Sequence, residues 1–492
     1  MPRLRILLLS LLASAAVACF AGGSQALASH GQVTYFEASD DLLEAPTRAH
    51  VFEQMKYLGV RALRVELHWQ DVAPDAASAT KPSFEATSPG SYDWGEYAEV
   101  LAEAQRLHWP VLLTVTSPVP RWATANGKAP YITRPDDKDF EEFMTAVGRE
   151  FGSEVSLYSI WNEPNHPAFL MPQWNANGTP ASPRIYRGLY QAGYAGLQAA
   201  GEARPKVLFG ETAPTGYDSV RGMLHSRNRR ERADAPLHDV APLKFLREAL
   251  CLDNRYRKAG SCSELQMAGY AHHAYTLPAG PYYVPSRKTE PDDVTLGALS
   301  RLSRALNLAA HAHAIPAGVP IYLTEFGVQS YPNKQLGVSA AKQAEYDAIA
   351  ERIAYGNPRV AAFSQYLLKD DPIGGAPGAS VHGGTTGFQT GLEYVSGEPK
   401  PLYYGWPVPL TVTKTRHGVS LWGLVRPATG ATSLTVLVRS KHARRYRVLK
   451  TVHTNGAGYW SLDSRVAGVY WRVRWRSPEG VKYEGPPIRA YK

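Results

Sequence analysis

The sequence predicts an α/β chain, a TIM-type (β/α)8 barrel followed by a separate C-terminal all-β sandwich. Three observations predict it. Up to about Pro407, apolar runs alternate with segments of helical period, as βα units on a parallel sheet do. Two of those runs lead into a glutamate, Glu163 and Glu325, where a parallel barrel opens its carboxyl-end face. Beyond Pro407 the period shortens to that of short strands and the balance of charge turns strongly basic.

Taken in chain order, eight strands are expected: Val33–Phe36, Val60–His68, Val111–Thr116, Val155–Asn162, Val207–Gly210, Met267–Tyr275, Ile321–Thr324 and Val360–Leu367. Between them Tyr97–Leu107, Phe140–Phe151, Ile185–Ala200 and Ala340–Tyr355 carry apolar residues near helical spacing. The arginine-rich excursion Ser219–Pro236 is too polar for a core and is expected to form a solvated loop near the rim.

Residues 1–28 are set apart as a secretory signal peptide. Arg3 and Arg5 precede an apolar run from Ile6 to Ala18, and Ala26-Leu27-Ala28 fits a small-x-small cleavage pattern. A second reading makes Ala16-Val17-Ala18-Cys19 a lipoprotein box with Cys19 lipidated. Cleavage after Ala28 leaves Cys251 and Cys262, which in an oxidising compartment would most simply form one disulfide; the alternative is two separate buried thiols. Two cysteines cannot build a zinc site unaided, and His272, His273, His311 and His313 show no ligand spacing, so neither metal nor cofactor is expected.

The barrel is assigned to 29–407 and the tail to 408–492. The tail holds sixteen Lys or Arg against Asp463, Glu479 and Glu484, a net +13, which leaves −4 for the rest of a chain whose total is +9. Its strands are expected at Pro409–Thr415, Val419–Val425, Ser433–Arg439, Tyr446–Val452, Tyr459–Leu462 and Gly468–Arg476. In the last of these Trp471, Val473 and Trp475 alternate with Arg472, Arg474 and Arg476, giving one apolar and one cationic face. Either the module packs on the barrel, or its cationic face attaches to an anionic polymer or cell envelope. No nucleic-acid motif accompanies the charge.

Glycosidic cleavage needs a proton for the leaving oxygen and a carboxylate on the anomeric face, and two strand-ending glutamates across one barrel mouth supply both. Trp161-Asn162-Glu163-Pro164 and Thr324-Glu325-Phe326-Gly327 resemble the motifs of the retaining glycoside hydrolases of clan A, families 5 and 39 among them. The resemblance covers Val33 to Lys369 and implies that Glu163 is the acid/base and Glu325 the nucleophile. It implies further that Asn162 binds the substrate 2-hydroxyl and that Arg64 lies beside the nucleophile. His273 and Tyr275 resemble the clan's His-x-Tyr pair on strand six, with Tyr275 hydrogen-bonded to the nucleophile and His272 a register competitor. Where many family 5 members carry a histidine on strand three and a tryptophan on strand eight, this chain has Thr114-Val-Thr-Ser-Pro118 and Phe363-Ser-Gln-Tyr366.

Further rim candidates are Glu37, Glu66, Glu211 and Asp370, with His68, Trp69, Trp122 and Trp174 as possible sugar contacts. Glu211, after Phe209-Gly210, is the spare catalytic carboxylate. The expected protein is therefore a secreted, cofactor-free retaining glycosidase acting on an oligo- or polysaccharide. Its rivals are a non-catalytic glycan-binding protein on a barrel scaffold and an envelope-attachment protein. The two carboxyls are expected roughly 5 to 6 Å apart, the separation for direct attack.

Overall fold

The computed structural model describes residues 31–276, 278–372, 387–428, 430–466 and 468–491; the expected signal peptide and Cys19 lie outside them. Eight parallel strands close into a barrel in sequence order: β1 (Val33–Glu37), β2 (Leu63–His68), β3 (Val111–Thr116), β4 (Val155–Ile160), β5 (Val207–Thr212), β6 (Gly269–His273), β7 (Ile321–Glu325) and β8 (Val360–Tyr366). β1 closes the ring against β8, with Glu37 opposite Tyr366. Each expected strand is present, with ends moved by a few residues.

Helices Ala45–Leu58, Gly95–Arg106, Asp137–Phe151, Ser182–Ala199, Pro242–Ala249, Leu299–His311 and Ala340–Tyr355 follow the first seven strands in turn, and one short helix, Pro401–Gly405, follows β8. Local chemistry sets several of their ends. The Asp136 and Ser339 side chains accept the free N–H groups of Asp139 and Lys342, and Gly59 closes the first long helix at φ +78°. The excursion expected as a loop instead forms two short exposed helices, Arg221–Leu224 and Arg229–Asp234. Asn228 caps the second, and arginine and glutamate are good helix formers even where nothing buries them.

The barrel interior changes character along its axis. Tyr35, Leu112, Leu157, Leu208, Ala271 and Ala362 pack together as an apolar floor. Because strand side chains repeat every two residues, the next layer up is Glu37, Thr114, Ser159, His273 and Ser364, with Arg64 above Ala62, all buried and all polar. The sequence thus places a charged layer directly on an apolar floor.

The tail forms two antiparallel sheets. One, ordered β13-β10-β9, contains β9 (Leu410–Thr415), β10 (Gly418–Leu424) and β13 (Tyr459–Ser464). The other, ordered β12-β11-β14-β15, contains β11 (Ser433–Arg439), β12 (Arg447–His453), β14 (Tyr470–Arg476) and β15 (Lys482–Glu484). β15 has only three residues, too few for an alternating pattern to register in the sequence. Leu410, Val412 and Leu421 of one sheet meet Leu434, Val436, Val438, Trp471, Val473 and Trp475 of the other in a shared core.

The sandwich docks on the barrel through the outer side of its smaller sheet, where Trp422, Leu424 and Tyr459 pack against Tyr355. Arg426 forks onto Glu351 with two 2.8 Å bonds and lies 3.8 Å over the Trp406 ring. Cys251 and Cys262 form a disulfide just beyond helix Pro242–Ala249. Among the described residues no helix is long and apolar enough to cross a membrane.

Candidate active site

Arg64, projecting from β2 and fully buried, is the hub of the barrel mouth. One terminal nitrogen binds Glu37 and lies 3.4 Å from Glu325. The other donates to Glu66 at 2.9 Å, to Asn162 Oδ1 at 3.0 Å and to Glu211 at 2.7 Å. A buried guanidinium is tolerable only when paired, and these carboxylates in turn require the cation.

Strict alternation would not bring all of these groups together; irregular backbone does. Between β5 and β6 the register slips after Phe209, Gly210 adopts φ +118°, and Glu211 sits at φ +45°. No side chain fits at Gly210, where a Cβ would lie 2.6 Å from the Ala271 carbonyl. Glu211, which follows a glycine already on the interior side, is thereby turned inward. On β7 an extra residue relative to β6 sets Glu325 opposite His273. At the end of β4, Trp161 and Glu163 adopt φ +70° and +36°, and the Glu163 N–H donates 3.0 Å to the Glu211 carbonyl. Left-handed backbone at three non-glycine residues of one rim is strain of the kind found at functional sites.

The two glutamates expected at the chemistry do meet. Oxygens of Glu163 and Glu325 and a ring nitrogen of His273 all lie within 4.8 Å of one another. His273 Nδ1 is 2.9 Å from Glu163 and 3.5 Å from Glu325. Tyr275 donates to Glu325 at 2.6 Å. His272, the register competitor, faces elsewhere, bonded to Thr212 and the Val294 carbonyl.

Electrostatics separate the pair. Burial, aided by the charges of Glu66 and Glu211 and opposed by Arg64, pushes the Glu163 carboxyl up to about 8. Burial raises Glu325 too, but His273 and Arg64 pull against it. Glu37 is driven well above the usual range by burial. Glu66 goes the other way: burial is outweighed by Arg64 and His68, and the carboxyl falls to about 2. His273 is held below its ordinary value by burial. His68 stands at the rim with its side chain 34% exposed, 3.7 Å from Glu66 and 3.4 Å from Asp71.

Among the described residues two groups of three ligand atoms could hold a cation, Glu163–His273–Glu325 and Glu37–Glu66–Glu325. Arg64 already supplies the positive charge to the carboxylates of the second.

Several rim candidates belong to packing instead. Trp122, half-buried, donates its indole N–H to the Pro74 carbonyl, and its ring meets Trp69 and Phe84 in T-shaped contacts. Trp69 is fully buried against Phe143, and Trp174 is buried and bonded to the His238 carbonyl. Asp370 is buried in an ion pair with Lys400 at 2.5 Å.

Other groups carried no sequence signal. Thr114 donates to Glu211 at 3.0 Å, and Thr116 accepts the Asn162 N–H at 3.0 Å. Phe388, 39% exposed, stacks on Tyr275 and meets Tyr366 edge-on, so an aromatic wall stands beside Glu325. Its local sequence is rich in glycine and threonine and has no strand or helix period.

No protein-family model and no curated protein sequence matches the chain. Among solved structures it is similar to a monomeric beta-xylosidase from Caulobacter crescentus CB15, with 14% identity over 95% of this chain and 96% of that one, at a TM-score of 0.49. It is also similar to a GH39 beta-xylosidase from Caulobacter crescentus, with 15% identity over 90% of this chain and 96% of that one, at a TM-score of 0.46. Bacteroides uniformis beta-glucuronidase 2 is 10% identical, at a TM-score of 0.43, over 94% of this chain and 46% of that one, so the chain spans about half its length. The barrel itself rests on the strand pairing, which is the fold that the resemblance to clan A implies.

Proposed function

We propose that the protein is a secreted retaining glycoside hydrolase acting on an oligo- or polysaccharide. One observation carries this reading: Glu163 and Glu325 approach within 4.8 Å across a barrel mouth, where burial holds a proton on the first and the second faces the Arg64 guanidinium and the Tyr275 hydroxyl. That spacing is well short of the ~6.5 to 9.5 Å between the carboxyl groups of inverting enzymes and suits direct attack.

In the first step Glu325 attacks the anomeric carbon while Glu163 gives its proton to the departing oxygen. Arg64 and Tyr275 hold Glu325 in place and favour its anionic form. Asn162, oriented by Arg64 and Thr116, accepts or donates at the sugar 2-hydroxyl, a bond that strengthens as the oxocarbenium-like state develops. In the second step Glu163, now ionised, takes a proton from water, and the water breaks the glycosyl ester. The disulfide and the leader-like first 28 residues support export.

The test is azide rescue on activated aryl glycosides. Glu163→Ala should accumulate a covalent intermediate, and azide should restore turnover with retained configuration. Glu325→Ala should form no intermediate and, with azide, should give the inverted product. Exchanged products, or rescue of neither variant, would overturn the assignment.

A further inference from the structure

Arg426 pairs with Glu351 where the tail docks, but Arg474 and Arg476 of β14 are exposed, away from that contact. Contact with the barrel is made by the outer side of the smaller sheet, through Trp422, Leu424 and Tyr459, and by Tyr483, whose hydroxyl reaches the Tyr57 carbonyl. The larger sheet turns its apolar side, Trp471, Val473 and Trp475, into the sandwich core. Its other side carries Arg472, half-buried, and Arg474 and Arg476, both exposed.

Part of this charge is answered internally. Glu484 takes Arg472 and Arg474 at 2.8 Å each, and Arg472 and Arg439 lie 5.1 and 5.3 Å from the Tyr446 ring centre. Arg476 and Lys482 form no such pair among the described residues. Arg476 and Lys482, both exposed, stand directly opposite each other on β14 and β15. Like charges in a facing cross-strand pair destabilise a sheet, so folding alone gives no reason for this arrangement. Beside them Ser433, Thr435 and Thr451 line, with Arg474, Arg476 and Lys482, a hollow of about 250 Å³.

We propose that this face binds an anionic polysaccharide, seating sugar carboxylates between Arg476 and Lys482 and sugar hydroxyls on Ser433, Thr435 and Thr451. Cations in a facing pair, with hydroxyl groups alongside, match a chain bearing both carboxylates and hydroxyls. The choice of polysaccharide over another polyanion rests on the glycosidase reading; the binding face does not. With +13 on the tail and −4 on the remainder, such a polymer is drawn to the tail and repelled by the carboxylate-lined mouth. Attachment and cleavage therefore concern different stretches or different polymers.

The test uses the full chain in gels containing polygalacturonate or neutral dextran. Retardation is expected with polygalacturonate alone, weakening as salt rises because exposed charges are screened over ~8 to 10 Å. Arg476→Ser combined with Lys482→Ser should weaken it at least tenfold. The same double variant should melt no lower than the parent, since it removes a like-charge pair; a merely structural role would lower the melting temperature. Arg227→Ser combined with Arg229→Ser, which removes equal charge from an exposed part of the barrel, should leave retardation unchanged. Aryl glycoside turnover should be the same in all of these proteins. The proposal is overturned by absent retardation, by equal retardation in dextran, or by equal loss in the barrel variant. Tighter binding to duplex DNA or to anionic lipid vesicles at equal charge concentration would also overturn it. Retardation without any hydrolysis would leave it standing and sink the catalytic reading instead.

Discussion

Tyr275 donates its phenolic hydrogen to Glu325 across 2.6 Å, linking the loop after β6 to the end of β7. A hydrogen bond to a charged acceptor contributes about 1.5 to 3 kcal/mol, and here it favours the anion over the acid. Tyr275→Phe keeps the ring against Phe326 and Phe388 and removes only this bond. kcat/KM should fall by about 10- to 100-fold, and the acidic limb of its pH profile should move upward. A loss in KM alone, with the limb unmoved, would show that Tyr275 contacts substrate rather than Glu325.

The raised carboxyls set the expected pH dependence. Glu163 acts as an acid only while protonated, so activity should fall as pH rises through about 8. Glu325 attacks only when ionised, and because burial lifts it above its ordinary 4.5 the acidic limb should lie above that value. The two limbs belong to the interacting pair rather than to either residue alone. A kcat/KM profile flat to pH 10 would remove Glu163 from the role of acid.

A buried carboxyl away from the site predicts how stability depends on pH. Asp347, on helix Ala340–Tyr355, is 1% exposed, its Oδ1 has no hydrogen-bond partner, and burial together with Glu351 raises it to about 8 against Arg426. The folded state thus holds this proton more tightly than the unfolded chain. That contribution is complete below the unfolded carboxyl range, near ~4, and is lost as pH rises through about 8. Asp347→Asn imitates the protonated form without titrating. Its melting temperature should match the parent near pH 4 and exceed it by about 2 °C or more at pH 9. An equal drop at both pH values would mean that the amide cannot be accommodated.

The barrel was legible because its strands are continuous apolar runs between amphipathic helices; the spacing of two put His273 and Tyr275 on one side, and Arg64 was read from the resemblance to clan A. Alternation fails at the bulges. Nothing in Phe209-Gly-Glu211 or Leu323-Thr-Glu325 shows an added residue in the pairing, so the inward turn of both glutamates came from motif resemblance or remained a spare possibility. Trp69 and Trp174, both buried, were ambiguous for a different reason. A tryptophan near a strand end serves a sugar or a neighbouring ring equally well in sequence, and here neighbours from distant segments, Phe143 and the His238 carbonyl, decide. Phe388 was invisible because its place beside Tyr275 depends on the path of the chain after β8.

Glu211 is the carboxylate whose part is least evident from its neighbours in sequence and most evident from its bonds. It is fully buried, accepts from Thr114 and Arg64, and gives its carbonyl to the Glu163 N–H. Its negative charge helps to raise Glu163, while Arg64 opposes. Glu211→Gln removes the charge, keeps an oxygen for Arg64 and places its amide N–H2 where it can donate to the Thr114 hydroxyl. Glu163 should then ionise at lower pH, moving the alkaline limb below about 8. Arg64, with one counter-charge fewer, should favour ionised Glu325 more strongly and move the acidic limb down as well. The expected signature is a bell displaced to lower pH. On an activated aryl glycoside turnover should stay within a few-fold of the parent near pH 5, and it should fall at least about tenfold near pH 8 for a substrate with a poor leaving group. Glu211→Asp, which restores the charge, should return the bell towards its original position. A bell lowered in height at an unchanged position would make Glu211 purely structural. Loss of turnover on every substrate, with azide rescue appearing in Glu211→Ala, would mean instead that Glu211 is itself one of the reacting carboxylates.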